Sequence, residues 1–229
     1  MDLDDFLYDD ERDDDRDDDF LSFCSNEMDM EQSLIKENSI HNAFSVERDY
    51  INSKAYHDKF EKLPINRNVQ QSLYQQVGRL LNEVNGRKEE KLLAINARTG
   101  DFIVDNFKRP GRSSKTSFNN EEFKLIYDCK DSIILVHNHS FNSRPSIQDL
   151  LTFLNEDKIR LSIIACHDGT LYGIYDVNPK LEKIYESCYN KFKDIACNED
   201  EAKKLATTEI YKINNKLGNR HKLFKMEEL

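Results

Sequence analysis

The chain has 229 residues, of which 38% are hydrophobic and 33% are charged, so it is long enough for one sizeable domain with a modest core. It contains no run of about 20 apolar residues and no basic and apolar signal region at its N-terminus, which predicts a cytoplasmic protein without a membrane partner. Its five cysteines include no CxxC pair, which argues against a disulfide framework and against a cysteine-bound zinc ion.

The net charge of −10 belongs to the N-terminus. Residues 1–19 hold 12 acidic residues against Arg12 and Arg16, which leaves 31 acidic and 31 basic residues in the rest of the chain. Such a self-repelling segment cannot bury enough apolar surface to fold, so it is predicted to be a disordered acidic tail. The neutral remainder provides no electrostatic footprint for nucleic acid, which makes DNA and RNA unlikely partners.

Three further segments precede the centre of the chain. Residues 20–66 are polar with scattered apolar positions and are predicted to be a partly ordered N-terminal extension. Residues 68–86 predict an amphipathic helix ended by Asn85-Gly86, because aliphatic residues recur at spacings of three and four. These residues are Val69, Leu73, Val77, Leu80, Leu81 and Val84. Residues 89–106 predict two strands joined at Thr99-Gly100, with Phe102 and Val104 on one face of the second strand.

The centre of the chain alternates between helices and strands. A loop or edge structure is predicted for 107–120, followed by a short helix capped by Asn119 or Asn120. Residues 131–139 form a continuous apolar run that ends in two histidines, which is typical of a buried central strand.

The next helix is predicted over 146–157, with Ser146 as its N-cap and Asp149 at its third position. A hairpin over 160–177 is predicted to turn at Asp168-Gly169, and His167 is interpreted as a turn residue, with a place near the histidine pair as the alternative.

The order helix–strand–strand–helix–strand–helix–strand–strand predicts an α/β fold with a mixed β-sheet flanked by helices. The predicted domain covers residues 67–177, and residues 178–229 are predicted to be a helical C-terminal extension.

His137, His139 and Asp149 form a candidate metal site. Residues i and i+2 of a strand point to the same face, so both imidazoles converge at the end of the strand. Asp149 lies one turn into the following helix, from which its carboxylate can turn back towards them. Two imidazoles and a carboxylate suit zinc and leave a fourth position for water, whose pKa zinc lowers towards about 7.

The segment HNHSFNSRPSIQD (137–149) resembles the metal motif of the JAMM/MPN metalloprotease family. The resemblance covers about residues 85–177 and is strongest to the RadC-like proteins and to the JAB-type domains of phage head-morphogenesis proteins. Those branches share the HNH tripeptide and a downstream hairpin similar to HDGTLYGI (167–174). The chain departs from the family pattern at Ser140, where the family has proline, and in the gap from His139 to Ser146, which holds six residues instead of seven.

The resemblance implies a mixed sheet flanked by helices, a sandwich of the cytidine-deaminase-like type. It implies that His137, His139 and Asp149 bind one zinc ion per chain, and that Ser146 supports the oxyanion or orders the site. The family also needs an upstream glutamate as general base, for which Glu89 and Glu90 are the candidates. Strand alternation favours Glu90, since it shares a face with the alternate residues Leu92, Ala94 and Asn96.

The predicted function is therefore that of a zinc-dependent peptidase or isopeptidase. Its substrate would be a protein or peptide, with a ubiquitin-like conjugate and a phage structural protein as candidates. One alternative is a non-catalytic or weakly catalytic domain in a phage head or another assembly. A second alternative is a RadC-like protein that acts around DNA, which the neutral body disfavours.

Overall fold

The computed structural model describes residues 44–111, 116–219 and 221–229. The predicted tail (1–19) and part of the predicted extension (20–66) lie outside the described residues. The helices and strands, numbered in chain order, are α1 (Arg48–Ile51), α2 (Lys54–Glu61), α3 (Arg67–Val84), β1 (Leu92–Asn96), β2 (Phe102–Asp105), α4 (Asn120–Asp128), β3 (Ile133–His139), α5 (Ile147–Asn155), β4 (Ile159–Cys166), β5 (Leu171–Val177), α6 (Lys180–Lys193), α7 (Glu199–Lys216) and β6 (Phe224–Glu228).

The described strands form one six-stranded sheet in the order β2-β1-β3-β4-β5-β6. β3 and β4 run parallel, joined by the crossover helix α5, whereas the other neighbouring pairs are antiparallel. This arrangement confirms the predicted α/β class with a mixed sheet flanked by helices. All seven residues of β3 are buried, as the continuous apolar run predicted for a central strand.

Helix α3 covers one face of the sheet, together with α1 and α2. All six of its predicted apolar residues are buried and pack against Leu93, Ile95, Ile134 and Val136 of the strands. The side chain of Asn66 caps the helix, and Gly86 follows it with a φ of 74°, which confirms the predicted stop.

The other face of the sheet is covered by α4 to α7. Its apolar contacts come from the alternate residues of β3, Ile133 and Leu135, and from Ile164 and Cys166 of β4. His137 and His139 continue this alternation, so they point towards the face on which α5 lies. Asn138 points to the opposite face, which is the α3 side.

A β-bulge makes the prediction for Phe102 and Val104 wrong. Val104 pairs with Ala94 and Phe102 pairs with Ile95, because the register shifts between these two residues of β1. The bulge places the two side chains on opposite faces of the sheet. Val104 joins the core on the α4 side, and Phe102 lies under the guanidinium group of Arg79 in α3.

The C-terminal extension, predicted to be helical, also contains a strand. Residues 178–229 contain α6 and α7, but the chain then forms β6, which pairs with β5 from Tyr172–Glu228 to Val177–Phe224. Phe224 is buried, while the charged side chains of Lys225, Glu227 and Glu228 lie along the outer strand, where they disfavour pairing with another chain. Residues 44–229 therefore form one compact unit.

Two features of the described residues concern membrane-spanning helices and cysteines. Within the described residues, no helix combines the length and the apolar character needed to cross a membrane. The described cysteines, Cys129, Cys166, Cys188 and Cys197, are free thiols.

Candidate metal centre

The two histidines meet at the C-terminal end of β3. The Nε2 atoms of His137 and His139 are 3.2 Å apart, and both residues are buried, with 5% and 7% of their surface exposed. The strand ends at this point and the chain crosses to α5, which is where ligands bind in many α/β sheets. The predicted convergence of the two imidazoles is therefore present in the fold.

Helix α5 brings a carboxylate to the same point. Asp149 Oδ1 lies 3.2 Å from His137 Nε2, and Asp149 Oδ2 lies 3.6 Å from His139 Nε2. One potential ligand atom from each of the three side chains falls within 4.8 Å of the others, which forms a group that could hold a metal ion.

Ser146 holds the carboxylate of Asp149 in place. The two residues form the capping box of α5, in which the Asp149 amide donates to Ser146 Oγ and the Ser146 amide donates to Asp149 Oδ2. The Ser146 hydroxyl also donates to Asp149 Oδ2, at 2.8 Å. Of the two roles implied by the family resemblance, this geometry favours ordering of the site, because the hydroxyl hydrogen is already used.

His139 is oriented by the loop between β3 and α5. Its Nδ1 lies 3.0 Å from the carbonyl oxygen and 3.0 Å from the hydroxyl of Ser143. With its hydrogen on Nδ1, the ring donates to that carbonyl group and keeps the lone pair of Nε2 available for a metal ion. A partner of this kind on the second ring nitrogen is usual for histidines that bind metal ions.

The three side chains of the group shift one another's pKa values. Burial lowers the pKa of His137, but the nearby Asp149 and Glu90 carboxylates outweigh it and raise that pKa. Burial and the charge of His137 lower the pKa of His139. Burial raises the pKa of Asp149, but the two histidines outweigh it and hold that pKa well below its usual range. These directions describe a charged pair of His137 and Asp149 beside a neutral His139, and a metal ion bound by the three side chains would take the place of the proton on His137.

Glu90 lies beside this group. Leu92 pairs with His137, and Glu90, two residues before it, points to the same face by alternation. Burial raises the pKa of Glu90 to about 7, with the charge of His137 opposing this change and the charge of Asp149 adding to it. A carboxyl group with this pKa near neutrality is suited to acting as a general base.

Glu89 points away from the group. Its Oε2 accepts a hydrogen bond from the Gly111 amide at 3.2 Å and lies 3.4 Å from Lys91 Nζ. The Lys91 side chain is only 2% exposed, and its ammonium group donates to the carbonyl groups of Phe107 and Arg109. Of the two candidates for the base, the structure brings only Glu90 to the histidines.

Sequence reasoning missed Asn138, and it interpreted His167 as a turn residue. Both side chains are buried, and they contact each other behind the metal-ligand group, with Asn138 Nδ2 3.2 Å from His167 Nε2. Burial lowers the pKa of His167, which favours its neutral form. Asn138 could have been found from its position, because a polar residue at the end of a buried strand needs hydrogen-bond partners.

A second group of potential ligands lies on α2, at His57, Asp58 and Glu61. These side chains are partly or fully exposed, and Asp58 already pairs with Lys54 at 2.7 Å. The group is therefore better explained as a solvated helix face with ion pairs at i,i+4 spacing.

The capping box of α5 leads to a prediction about metal affinity. We expect Ser146→Ala to weaken zinc binding by about 10- to 100-fold, since loss of a group that orients a metal ligand typically has this effect. It should also reduce the free energy of unfolding by about 1 kcal/mol, the usual effect of losing an N-cap. Titration with a competing chelator measures the affinity, and denaturant unfolding of the metal-free protein measures the stability.

Asn119 provides a matched control for this substitution. It forms the same capping box with Glu122 at the start of α4, and neither residue belongs to a group of potential metal ligands among the described residues. Asn119→Ala should lower stability by a similar amount and leave zinc affinity unchanged. Equal zinc affinities in the two variants would show that Ser146 only caps its helix.

Comparison of the chain with protein-family models, with curated proteins and with solved structures found no match.

Proposed function

We propose that this protein is a zinc-dependent peptidase or isopeptidase of the JAMM/MPN type. The proposal is carried by one observation: the two imidazoles and the carboxylate of Asp149 converge within 3.6 Å of one another, with the Glu90 side chain beside them. A metal-ligand group next to a potential general base is the arrangement that metal-assisted hydrolysis needs.

The spacing of the three ligands supports zinc as the metal. Zinc binds histidine nitrogen and carboxylate oxygen at about 2.0–2.2 Å in tetrahedral geometry, which separates neighbouring ligand atoms by about 3.3 Å. Here the two Nε2 atoms are 3.2 Å apart, and Asp149 Oδ1 lies 3.2 Å from His137 Nε2, whereas the distance of 3.6 Å to His139 Nε2 is measured from the other oxygen, Oδ2. Three protein ligands are also the usual number in a catalytic zinc site, since they leave the fourth position open.

The residues around the ligands would transfer the proton and hold the ligands in place. When bound, zinc acts as a Lewis acid, which lowers the pKa of a water molecule and polarises a carbonyl group. The carboxylate of Glu90 would take a proton from the attacking water and then give it to the amide nitrogen as the C–N bond breaks. Ser146 and Ser143 would keep Asp149 and His139 in their positions during this exchange.

The substrate class follows from the reaction. A protein or peptide amide is the proposed substrate, either within a main chain or as the isopeptide bond of a ubiquitin-like conjugate or a phage structural protein. The mixed sheet with its metal site at the end of β3 is compatible with an MPN/JAB fold, which supports this choice over other hydrolases. We propose that the protein acts in the cytoplasm.

Metal dependence tests the proposed function directly. We expect the purified protein to cleave at least one member of a panel of peptides and isopeptide-linked conjugates, with products identified by mass spectrometry. Removal of the metal with a chelator should abolish cleavage, and one equivalent of zinc should restore it, because Lewis acidity is needed for attack on the amide.

Two outcomes would contradict the proposal. Cleavage that continues after complete removal of the metal would point to a contaminant or to another mechanism. A protein that binds zinc but cleaves no member of the panel would favour the assembly role instead.

A further inference from the structure

Asn138 lies between the two histidines of β3 and has no exposed surface. His137 and His139 point to the α5 side of the sheet, so strand alternation turns Asn138 to the other side. A primary amide in this position must find partners for one acceptor and two donor hydrogens, since an unpaired polar group in the interior is costly. Its partners therefore indicate why an asparagine occupies this position.

Two of these partners are the peptide groups on either side of Glu90. The Lys91 amide donates to Asn138 Oδ1 at 2.7 Å, and Asn138 Nδ2 donates to the carbonyl oxygen of Glu89 at 3.0 Å. The side chain thus makes the pair of hydrogen bonds that a neighbouring strand would make with this segment. It does so just before β1 begins, at Leu92.

The third partner fixes the orientation of the amide group. Asn138 Nδ2 lies 3.2 Å from His167 Nε2, and His167 Nδ1 lies 2.8 Å from the carbonyl oxygen of Phe44. A hydrogen on Nδ1 donates to Phe44, so Nε2 accepts from Asn138. Rotation of the amide by 180° would place two donors against each other at Lys91 and two acceptors against each other at Glu89. The three hydrogen bonds can therefore form in only one orientation of the amide group.

We propose that Asn138 is a positioning residue, which holds the backbone on both sides of Glu90 and so sets its carboxylate relative to His137 and His139. The proposal rests on the proposed function, in which Glu90 is the general base. Asn138 lies between the two histidines in the chain, and its hydrogen bonds join it to the segment that carries Glu90. The HNH tripeptide then serves two faces of the sheet, with the histidines binding the metal and the asparagine placing the base.

Amide hydrogen exchange and kinetics test this role together, on zinc-loaded protein. In Asn138→Ala, exchange of the Lys91 amide should accelerate at least tenfold, whereas the amides of Leu93 and Ile95 within β1 should keep their protection. The zinc content should stay at the wild-type level. The value of kcat should fall at least tenfold with little change in KM, because a displaced catalytic group can lose about 10²-fold in rate while substrate contacts remain.

Two further variants separate positioning from a general loss of stability. Asn138→Asp keeps the shape but sets an oxygen against the Glu89 carbonyl group, so it should also lower kcat. Asn214→Ala removes a buried asparagine that binds the backbone of Leu223 and Phe224 in the same way, at the β6 edge of the sheet. It should lower the melting temperature to a similar degree and leave kcat unchanged.

The measurements distinguish failure of this inference from failure of the proposed function. Unchanged Lys91 exchange in Asn138→Ala, or faster exchange with unchanged kcat, would overturn the positioning role. An equal fall in kcat in Asn214→Ala would overturn it as well. If the wild-type protein cleaves nothing, the proposed function fails, and the exchange of the Lys91 amide alone decides whether Asn138 holds the segment.

Discussion

Replacing Glu90 with glutamine is expected to reduce hydrolysis by about 10² to 10⁴, the usual effect of removing a general base. Glutamine has nearly the same shape as glutamate but cannot take a proton from water. Because Glu90 does not belong to the group of potential ligands formed by His137, His139 and Asp149, the variant should keep its fold and its zinc. Initial rates on a substrate cleaved by the wild-type protein, with metal content measured on the same samples, provide the test.

Glu89 is the matched control, since it is the adjacent glutamate and its side chain points to the other side of the strand. Glu89→Gln removes an ion pair with Lys91 and should change the rate little. Full activity in Glu90→Gln, together with loss of activity in Glu89→Gln, would show that Glu89 is the general base. Loss of zinc from Glu90→Gln would mean that Glu90 is a ligand instead of the base.

The second large effect concerns the metal itself. We expect one zinc ion per chain, and we expect His137→Ala, His139→Ala and Asp149→Ala each to weaken its binding by more than about 100-fold. Each substitution removes one of three ligands, and even the loss of a group outside the coordination shell lowers metal affinity by about 10- to 100-fold. Elemental analysis of the purified variants and competition with a chelator measure stoichiometry and affinity.

His57 provides the control for these variants. It belongs to the other group of potential ligands, on α2, and His57→Ala should leave one zinc ion bound. Unchanged zinc content in Asp149→Ala would show that the third ligand is a different residue. Iron at full occupancy would also contradict the zinc proposal, because two histidines and one carboxylate also form the iron site of non-heme oxygenases.

Local patterns in the sequence were sufficient to predict the elements that form the site. The apolar spacing of α3, the continuous apolar run of β3 and the capping box of α5 all act within one element, so they are visible without knowledge of the fold. The same holds for His137 and His139, which must share a face because they are two residues apart on a strand. The position of Asp149 within the helix after β3 likewise follows from the sequence.

Other features depended on contacts between distant parts of the chain. The bulge in β1 separates Phe102 from Val104, and its position is set by pairing with β2. The short β6 has a charged, weakly patterned sequence and becomes a strand because β5 offers it an unpaired edge. Neither the bulge nor β6 is predicted by the residues of its own segment, because strand formation depends strongly on neighbouring strands.

The candidate metal site also combines features that the sequence predicts with features that depend on the fold. By itself, the sequence identified the group of potential ligands, because strand period and helix capping are local properties, and the family resemblance limited the candidates for the base to Glu89 and Glu90. Only the tertiary structure decided that Glu90 lies beside His137 while Glu89 pairs with Lys91. It also showed the partners of Asn138, at Glu89 and Lys91, which are 49 and 47 residues away in the chain. Hydrogen bonds over such separations form only when the sheet brings β1 and β3 together, and no pattern within either segment specifies them.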